Sequence, residues 1–444
     1  MNNKFKLAIA GLAVFASVQS QNPVFTHMYT ADPSAHVWDD KGKLWLYTSH
    51  DVPGTNSHYT MSDYHVFSTE DLVNWIDHGR VLHYKDVEWA DGHAWAIDAV
   101  FYKGTYYLVY CMKDKVVGMF RTGLAVSKQP QGPFTDIGYI KGVDWGQDPS
   151  LFLDDDGTPY LFWGCGGSGF GAELNEDLMS IKPETKVELT SQLKDVFEGL
   201  WVHKYNGKYY MTYPGLPGAK WPEVMYYATA DKPLGPYTTH GTYIDKFEGQ
   251  AGTNHGSVVE FRGKWYAFHH SSWLSNGNST CRSVMMDPLE YDSKGMIKKI
   301  IPSKKGIGKA EKTYVTILLE AENGPASGGE LNRTYVSDMR LGYSGTGYVT
   351  GFDLKNDFVS VLAQVAKKDK YRLKIRYAAP KKDVKHSLLI SFRTEKKDIL
   401  FPKTEEFKEI DLGIIELQEG DNEIRLYNQE GNIEIDYFKL EQVH

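Results

Sequence analysis

Residues 147–162 read Q-D-P-S-L-F-L-D-D-D-G-T-P-Y-L-F. An acid precedes a short apolar run, a D-G turn follows, and an aromatic strand comes after it. That is a β-hairpin with an acid at its head. Aligned on the turn glycine, the pattern occurs five times: Asp32–Tyr47, Asp98–Tyr110, Asp148–Phe162, Glu198–Tyr213 and His255–Phe268. The turn glycines are Gly42, Gly104, Gly157, Gly207 and Gly263, spaced from 50 residues (157 to 207) to 62 (42 to 104). Other strand-like runs, such as Tyr64–Ser68 and Met225–Ala228, fall between the copies. Several strands per repeat at that period predict a β-propeller, one blade per copy. The copies end near residue 305, which predicts five blades over residues 22–305.

In a propeller the innermost strand of each blade begins at the central channel. The residues heading the five copies, Asp32, Asp98, Asp148, Glu198 and His255, are therefore expected to converge on one axial pocket. Gathering four carboxylates and an imidazole is electrostatically costly and pushes pKa values apart. Folding does not require it. Paired carboxylates in an aromatic pocket suit glycoside hydrolysis, where one is protonated to release the leaving oxygen and another is ionised. Taken singly, these residues have plainer explanations. Asp32 and Asp148 each precede proline, a common turn start, and a single histidine is more often a satisfied core residue. Their equivalent places in successive repeats favour the joint reading.

The whole chain has 444 residues, a formal net charge of −8, 14% aromatic residues and three cysteines. The negative charge argues against a nucleic-acid surface. Three cysteines without metal spacing form no disulfide framework, and each reads as a small buried hydrophobe. Residues 1–20 carry Lys4 and Lys6 ahead of a short apolar run from Leu7 to Val18, the pattern of a cleaved secretory signal peptide. No later run is long enough to span a membrane. The expectation is a secreted or periplasmic protein; its oligomeric state is not legible.

Four motifs in order resemble glycoside hydrolase family 43, the inverting five-bladed-propeller enzymes, over residues 22–305. A-D-P at Ala31–Pro33 resembles the motif of the general base, which implies Asp32. Q-D-P-S at Gln147–Ser150 resembles that of the pKa-modulating acid, implying Asp148. F-E-G-L-W at Phe197–Trp201 resembles that of the general acid, implying Glu198. N-H-G-S at Asn254–Ser257 resembles the fifth-blade motif, whose histidine, here His255, faces the channel and often helps to bind calcium. H-A-W-A-I-D at His93–Asp98 is similar to the family's W-A-P-D, with Ile97 where proline is usual. R-S-V after Cys281 resembles a segment whose arginine, here Arg282, contacts the sugar. Asp98 either binds sugar hydroxyls or braces the channel. Trp95, Trp163 and Trp201 either stack on sugar or fill blade cores.

The resemblance implies direct displacement without a cofactor. Asp32 deprotonates water, Glu198 protonates the leaving oxygen, and Asp148 keeps Glu198 protonated, with base and acid roughly 6.5–9.5 Å apart. The expected substrate is a terminal pentose of a plant-type oligo- or polysaccharide, α-L-arabinofuranosyl first and β-D-xylosyl second. The alternatives are a β-galactofuranosidase or β-galactosidic hydrolase of the same family, or a non-catalytic sugar-binding propeller. A retaining fructan-hydrolase type is disfavoured because W-M-N-D-P-N and R-D-P have no counterpart. A sialidase is disfavoured because its S-x-D-x-G-x-T-W repeat is missing.

Residues 306–314 read as a charged linker, and the pattern then changes. Short strand-like runs at Tyr314–Leu319, Tyr371–Tyr377, Ser387–Phe392, Asn422–Tyr427 and Ile433–Leu440 predict a jelly-roll-like β-sandwich over residues 315–444. The chain is thus expected to be all-β. E-A-E-N at Glu320–Asn323 and the closing I-E-I-D-Y-F-K-L resemble carbohydrate-binding module families 6 and 35. That resemblance implies a structural calcium ion at Glu320, Glu322 and Asp436, and hard oxygen donors suit Ca²⁺. Tyr343 and Tyr348 are candidate sugar platforms.

Overall fold

Each of the five turn glycines closes an antiparallel hairpin in the computed structural model, which describes residues 21–38, 42–53, 59–324, 333–391 and 397–443. In three hairpins two consecutive turn residues take positive φ: Lys103 and Gly104, Asn206 and Gly207, Arg262 and Gly263. That geometry matches the right-handed twist of the flanking strands. The signal-peptide expectation lies outside the described residues. Among those residues, no helix is long and apolar enough to cross a membrane.

Four blades have four strands each, and their innermost strands are Thr30–His36, Ile97–Tyr102, Ser150–Leu153 and Trp201–Tyr205. The fifth blade has three: Ser257–Phe261, Lys264–Ser271 and Ser283–Leu289. Residues 22–30 close the ring on its outer strand. Val24 N–H donates to Val284 O at 2.8 Å, and Thr30 N–H donates to Arg282 O at 3.0 Å.

The serine that follows the head residue in three copies staples neighbouring blades. Ser34 Oγ donates to Asp98 at 2.6 Å, Ser150 Oγ donates to Leu200 O at 2.5 Å, and Ser257 Oγ accepts from Ala35 N–H at 3.0 Å. These serines are buried beside the channel, where an unpaired hydroxyl would be costly. The D-P-S motif is thus a structural joint as well as a carrier of acid.

The sandwich has two sheets. One contains Tyr314–Glu320, Glu434–Gln442, Asp369–Ala379 and Thr404–Leu417; the other contains Phe358–Val365, Gly420–Glu430, Val384–Ile390 and Lys397–Phe401. Val359, Leu373, Ile424 and Phe438 pack between them. The two halves of the chain are joined through backbone. The strand Tyr314–Glu320 pairs in parallel with the outer strand of the first blade, Asn74–His83, over Asn74–Asp77. The segment expected as a linker lies along the N-terminal residues, with Lys309 N–H donating to Gln21 Oε1 at 2.9 Å. Gln364 of the sandwich enters a nest of acids and imidazoles in the first blade. Its oxygen faces His65 Nε2 at 2.6 Å, and its amide donates to Asp63 at 3.1 Å.

Candidate active site

Asp32 and Asp148 share an uncommon backbone. Their φ values are +50° and +48°, in the left-handed region where Asp is tolerated better than most residues. Asp32 breaks the register of its inner strand between Ala31 and Ser34, Asp148 lies two residues before its own, and both residues line one cavity of about 220 Å³. Glu198 lines it too, and Gly199 behind it has φ +59°. A Cβ on Gly199 would sit 3.1 Å from the His255 ring, so glycine lets His255 approach the acid. Four of the five head residues therefore meet at the cavity: Asp32, Asp148, Glu198 and His255.

Asp98, the fifth, does not line it. It is buried deeper, with Oδ1 accepting from Ser34 and Oδ2 accepting from Leu151 N–H at 2.6 Å. Those bonds make it the channel brace rather than a sugar ligand. Of the three tryptophans expected near sugar, Trp95 lines the cavity. Trp163 is 1% exposed and packs with Leu161 and Val109 between blades. Trp201 is buried against His36, away from the lining. Trp163 is turned into an apolar core between blades, whereas Trp201, on the fourth blade's inner strand, meets His36 on the first blade's inner strand.

Arg282 lies against the cavity, but its N–H groups are directed at protein partners. Nε and Nη2 grip Asp51 at 2.9 and 3.0 Å, and Nη1 reaches Asp32 Oδ1 at 3.0 Å and Thr253 Oγ1 at 3.3 Å. Nη2 also faces Met61 Sδ at 3.4 Å. Arg282 thus lines the cavity, as expected of a residue near the sugar, while its guanidinium also orients Asp32 and Asp51.

The three acids sit in different fields. Burial pushes Asp32 up, but Arg282, His255, His270 and the Ser49 hydroxyl at 2.5 Å outweigh it, leaving Asp32 below the ordinary carboxylate range. Burial, then the charges of Glu198 and Asp32, raise Asp148 well above that range. Burial and the charge of Asp32 raise Glu198 to about 7. Near neutrality the site thus holds an ionised Asp32 facing a proton-bearing Asp148–Glu198 pair. His270 accepts from Asp32 N–H through Nδ1 at 3.3 Å, and its Nε2–H donates to Thr253 O at 3.0 Å. That fixes a neutral tautomer.

Sequence reasoning missed several neighbours. Cys165 Sγ donates to Glu198 Oε2 at 3.4 Å. Tyr59, Phe197 and Trp221 add rings to the lining. Glu223 is fully buried, and burial beside Glu198 raises its pKa well above the ordinary range. Its Oε2 accepts from Asn254 N–H at 2.6 Å, so it braces the segment bearing Thr253 and His255. None of these occupies a repeat position, so periodicity could not mark them. A larger cleft, about 500 Å³ at Tyr205, Trp265 and Tyr291, contains Glu290 as its one carboxylate and has no acid pair.

In the sandwich, Glu320, Glu322 and Asp436 surround the loop at Ser344–Gly347. Ser344 Oγ donates to Glu320 at 2.7 Å, and Thr346 N–H donates to Glu322 at 2.7 Å. Burial and mutual repulsion raise Glu320 to about 8, while burial raises Glu322 to about 7. Glu322 Oε2 is buried without a partner. This oxygen-rich, charge-strained set fits a hard cation, although Arg376 already pairs with Asp436. His255 lines the cavity, with Nδ1 3.8 Å from Asp32 Oδ1, and belongs to no cluster of three metal-type side chains among the described residues. Tyr348 is a core residue, 3% exposed.

Comparison with known proteins agrees with this architecture. Residues 20–297 match the profile of Glycosyl hydrolases family 43, and residues 320–443 match that of the Carbohydrate binding module (family 35). The xylosidase/arabinosidase 43A of Humicola insolens is 38% identical, covering 62% of this chain and 98% of that protein. The xylosidase/arabinosidase of Bacteroides ovatus is 36% identical over 61% and 94%. A family 43 β-xylosidase/α-arabinofuranosidase from a compost metagenome, solved with xylotriose, superposes with a TM-score of 0.58. It is 35% identical and covers 63% of this chain and 97% of that one. An arabinoxylan arabinofuranohydrolase structure from Bacillus subtilis, 23% identical with a TM-score of 0.58, shares the fold over 96% of this chain. The chain belongs to glycosyl hydrolases family 43 and carries a family 35 carbohydrate-binding module at its C-terminal end.

Proposed function

We propose that this hydrolase removes single terminal pentoses, β-D-xylosyl or α-L-arabinofuranosyl, from oligo- or polysaccharides with inversion. One observation carries the reading: Asp32, Asp148 and Glu198 share a ring-lined cavity of about 220 Å³. A cavity of that size favours one sugar ring over a long chain segment, hence exo action. The named activities of the relatives at 36–38% identity support the choice of pentose.

Asp32, ionised and fixed by Arg282 and Ser49, accepts a proton from water attacking the anomeric carbon. Glu198, proton-bearing near pH 7, donates to the leaving oxygen. Asp148 shares protons with Glu198 and returns one after turnover. Trp95, Tyr59, Phe197 and Trp221 enclose the sugar and exclude water from the far face. The chemistry uses only these side chains. Glu320, Glu322 and Asp436 would hold calcium in the module, where the ion would offset carboxylate repulsion.

A panel of aryl β-xyloside, α-L-arabinofuranoside, β-galactofuranoside and β-galactoside tests the reading. Turnover of the pentosides over the galactosides by at least tenfold in kcat/KM is expected. Preference for a galactoside, or no turnover of any glycoside or xylo-oligosaccharide, would overturn it.

A further inference from the structure

Cys165 is the unexpected group at the catalytic centre. It follows the strand Pro159–Trp163, while Asp148 precedes the adjacent strand Ser150–Leu153 of the same blade. Glu198 precedes the first strand of the next blade, so all three are held by the ends of rigid elements. One ligand atom from each, Sγ and two carboxylate oxygens, lies within 4.8 Å of the others. The Sγ–Oε2 separation between Cys165 and Glu198 is 3.4 Å. A tetrahedral zinc ion with bonds of about 2.3 Å to sulfur and about 2.0 Å to oxygen needs an edge of about 3.5 Å between those atoms. Asp148 is 5% exposed, lines the cavity, and among the described residues receives no side-chain or backbone hydrogen bond on its carboxylate. It is an unpartnered donor aimed at the same point. Asp32 stays outside the set because Ser49 and Arg282 occupy its oxygens.

We propose that Asp148, Cys165 and Glu198 form a binding site for a thiophilic divalent cation such as Zn²⁺, which blocks the hydrolase when bound. The sulfur selects for zinc and cadmium over calcium and magnesium, which prefer all-oxygen shells. The open cavity supplies a fourth position for water. Binding displaces the Cys165 proton and occupies Glu198 Oε2, so the carboxyl can no longer donate to a leaving group. The inhibitory effect rests on the reading of Glu198 as the acid. The site itself does not.

The test is titration of the full chain with Co²⁺, followed by thiolate-to-cobalt charge-transfer absorption in the near ultraviolet, alongside pentoside hydrolysis with added Zn²⁺. One equivalent of Co²⁺ should give the band in the wild type, and Zn²⁺ should bleach it. Cys165→Ser should lose the band, while Cys281→Ser should keep it. The zinc concentration that halves each protein's own rate should rise about tenfold or more in Cys165→Ser, as metal affinity depends steeply on its ligands. Circular dichroism checks that both variants fold. No band in the wild type, or a band that survives Cys165→Ser, would overturn the site. Loss of the band in Cys165→Ser with unchanged zinc inhibition would overturn the block. A Cys165-dependent band in a protein inactive on every pentoside would uphold the site and reject the pentosidase reading instead.

Discussion

Arg282 Nη1 donates to Asp32 Oδ1 at 3.0 Å while Nε and Nη2 of the same guanidinium clamp both oxygens of Asp51. One planar fork thus ties the C-terminal end of the first blade's second strand to the acid near the start of its first. Lysine carries the charge but not the fork. Arg282→Lys should lower kcat/KM by roughly 10²-fold or more, because Asp32 loses its orientation. It should also move the acid limb of the pH–rate profile upward. Asp32 is held below the ordinary range in large part by this guanidinium, so weakening the contact lets its carboxyl protonate at higher pH. An unmoved acid limb would contradict the assignment.

The basic limb is set by the proton donor. Glu198 is raised to about 7, so activity should fall above that pH as the carboxyl ionises. Glu198→Gln should remove this limb. It should cost roughly 10²–10⁴-fold with alkyl or sugar leaving groups and much less with an activated aryl group. Equal losses on both substrate types would assign the proton donation elsewhere.

How much of this was legible beforehand follows from where periodicity acts. The hairpins, the five blades and the head residues repeat, so Asp32, Asp148, Glu198 and His255 could be placed together. Asp98 has the same place in its repeat, but its φ is not positive and its carboxylate stays inside, bonded to Ser34 and Leu151. Trp163 and Trp201 were ambiguous because a strand tryptophan can face cavity or core, and only the pleat decides. Cys165, Glu223 and Asp51 reach the site from second strands or loops whose positions vary between blades. The parallel pairing of Tyr314–Glu320 with the first blade was illegible, since an edge strand carries no label for its distant partner.

The junction between propeller and module should respond to pH. Gln364 donates its amide to Asp63 and Asp421, which leaves its oxygen to accept from His65 Nε2–H. His65 Nδ1 faces Asp77 at 3.4 Å, so the ring is placed to donate from both nitrogens. Burial pushes His65 down, but Asp77, Asp63 and Gln364 outweigh it and hold its pKa above the ordinary value. His27 and His50 complete the network through their bonds to Asp77 and Asp63, and Arg80 approaches Asp63 at 4.0 Å. Stability from His65 is therefore full below pH 6.5 and lost as pH rises through the raised value. Gln364→Ala should cost about 1–3 kcal/mol by leaving buried partners unpaired. Thermal melts of the variant and wild type at pH 5.5 and pH 8.5 (assay conditions, about one unit or more either side of the histidine range) should differ most at the lower pH. A constant difference would remove His65 from the account.

Calcium should stabilise the module in a pH-dependent way. Glu320 and Glu322 are raised to about 8 and about 7, so without the ion their stabilising contribution is lost as pH rises from the ordinary carboxylate range through those values. Added Ca²⁺ should raise the melting temperature by several degrees at pH 8 and less at pH 5, and EDTA should reverse it. Glu322→Gln should weaken the response. A melting temperature indifferent to Ca²⁺ and EDTA would leave the three acids without an ion.

The most direct test of the catalytic account is proton NMR of the sugar first released from a β-D-xyloside, or from an α-L-arabinofuranoside if that is turned over faster. With Asp32 as base and Glu198 as acid, the first signal should belong to the opposite anomer, α-xylose from the β-xyloside, with the starting anomer appearing only as mutarotation proceeds. Initial release of β-xylose would contradict the account, because retention requires one of these carboxylates to attack the sugar itself.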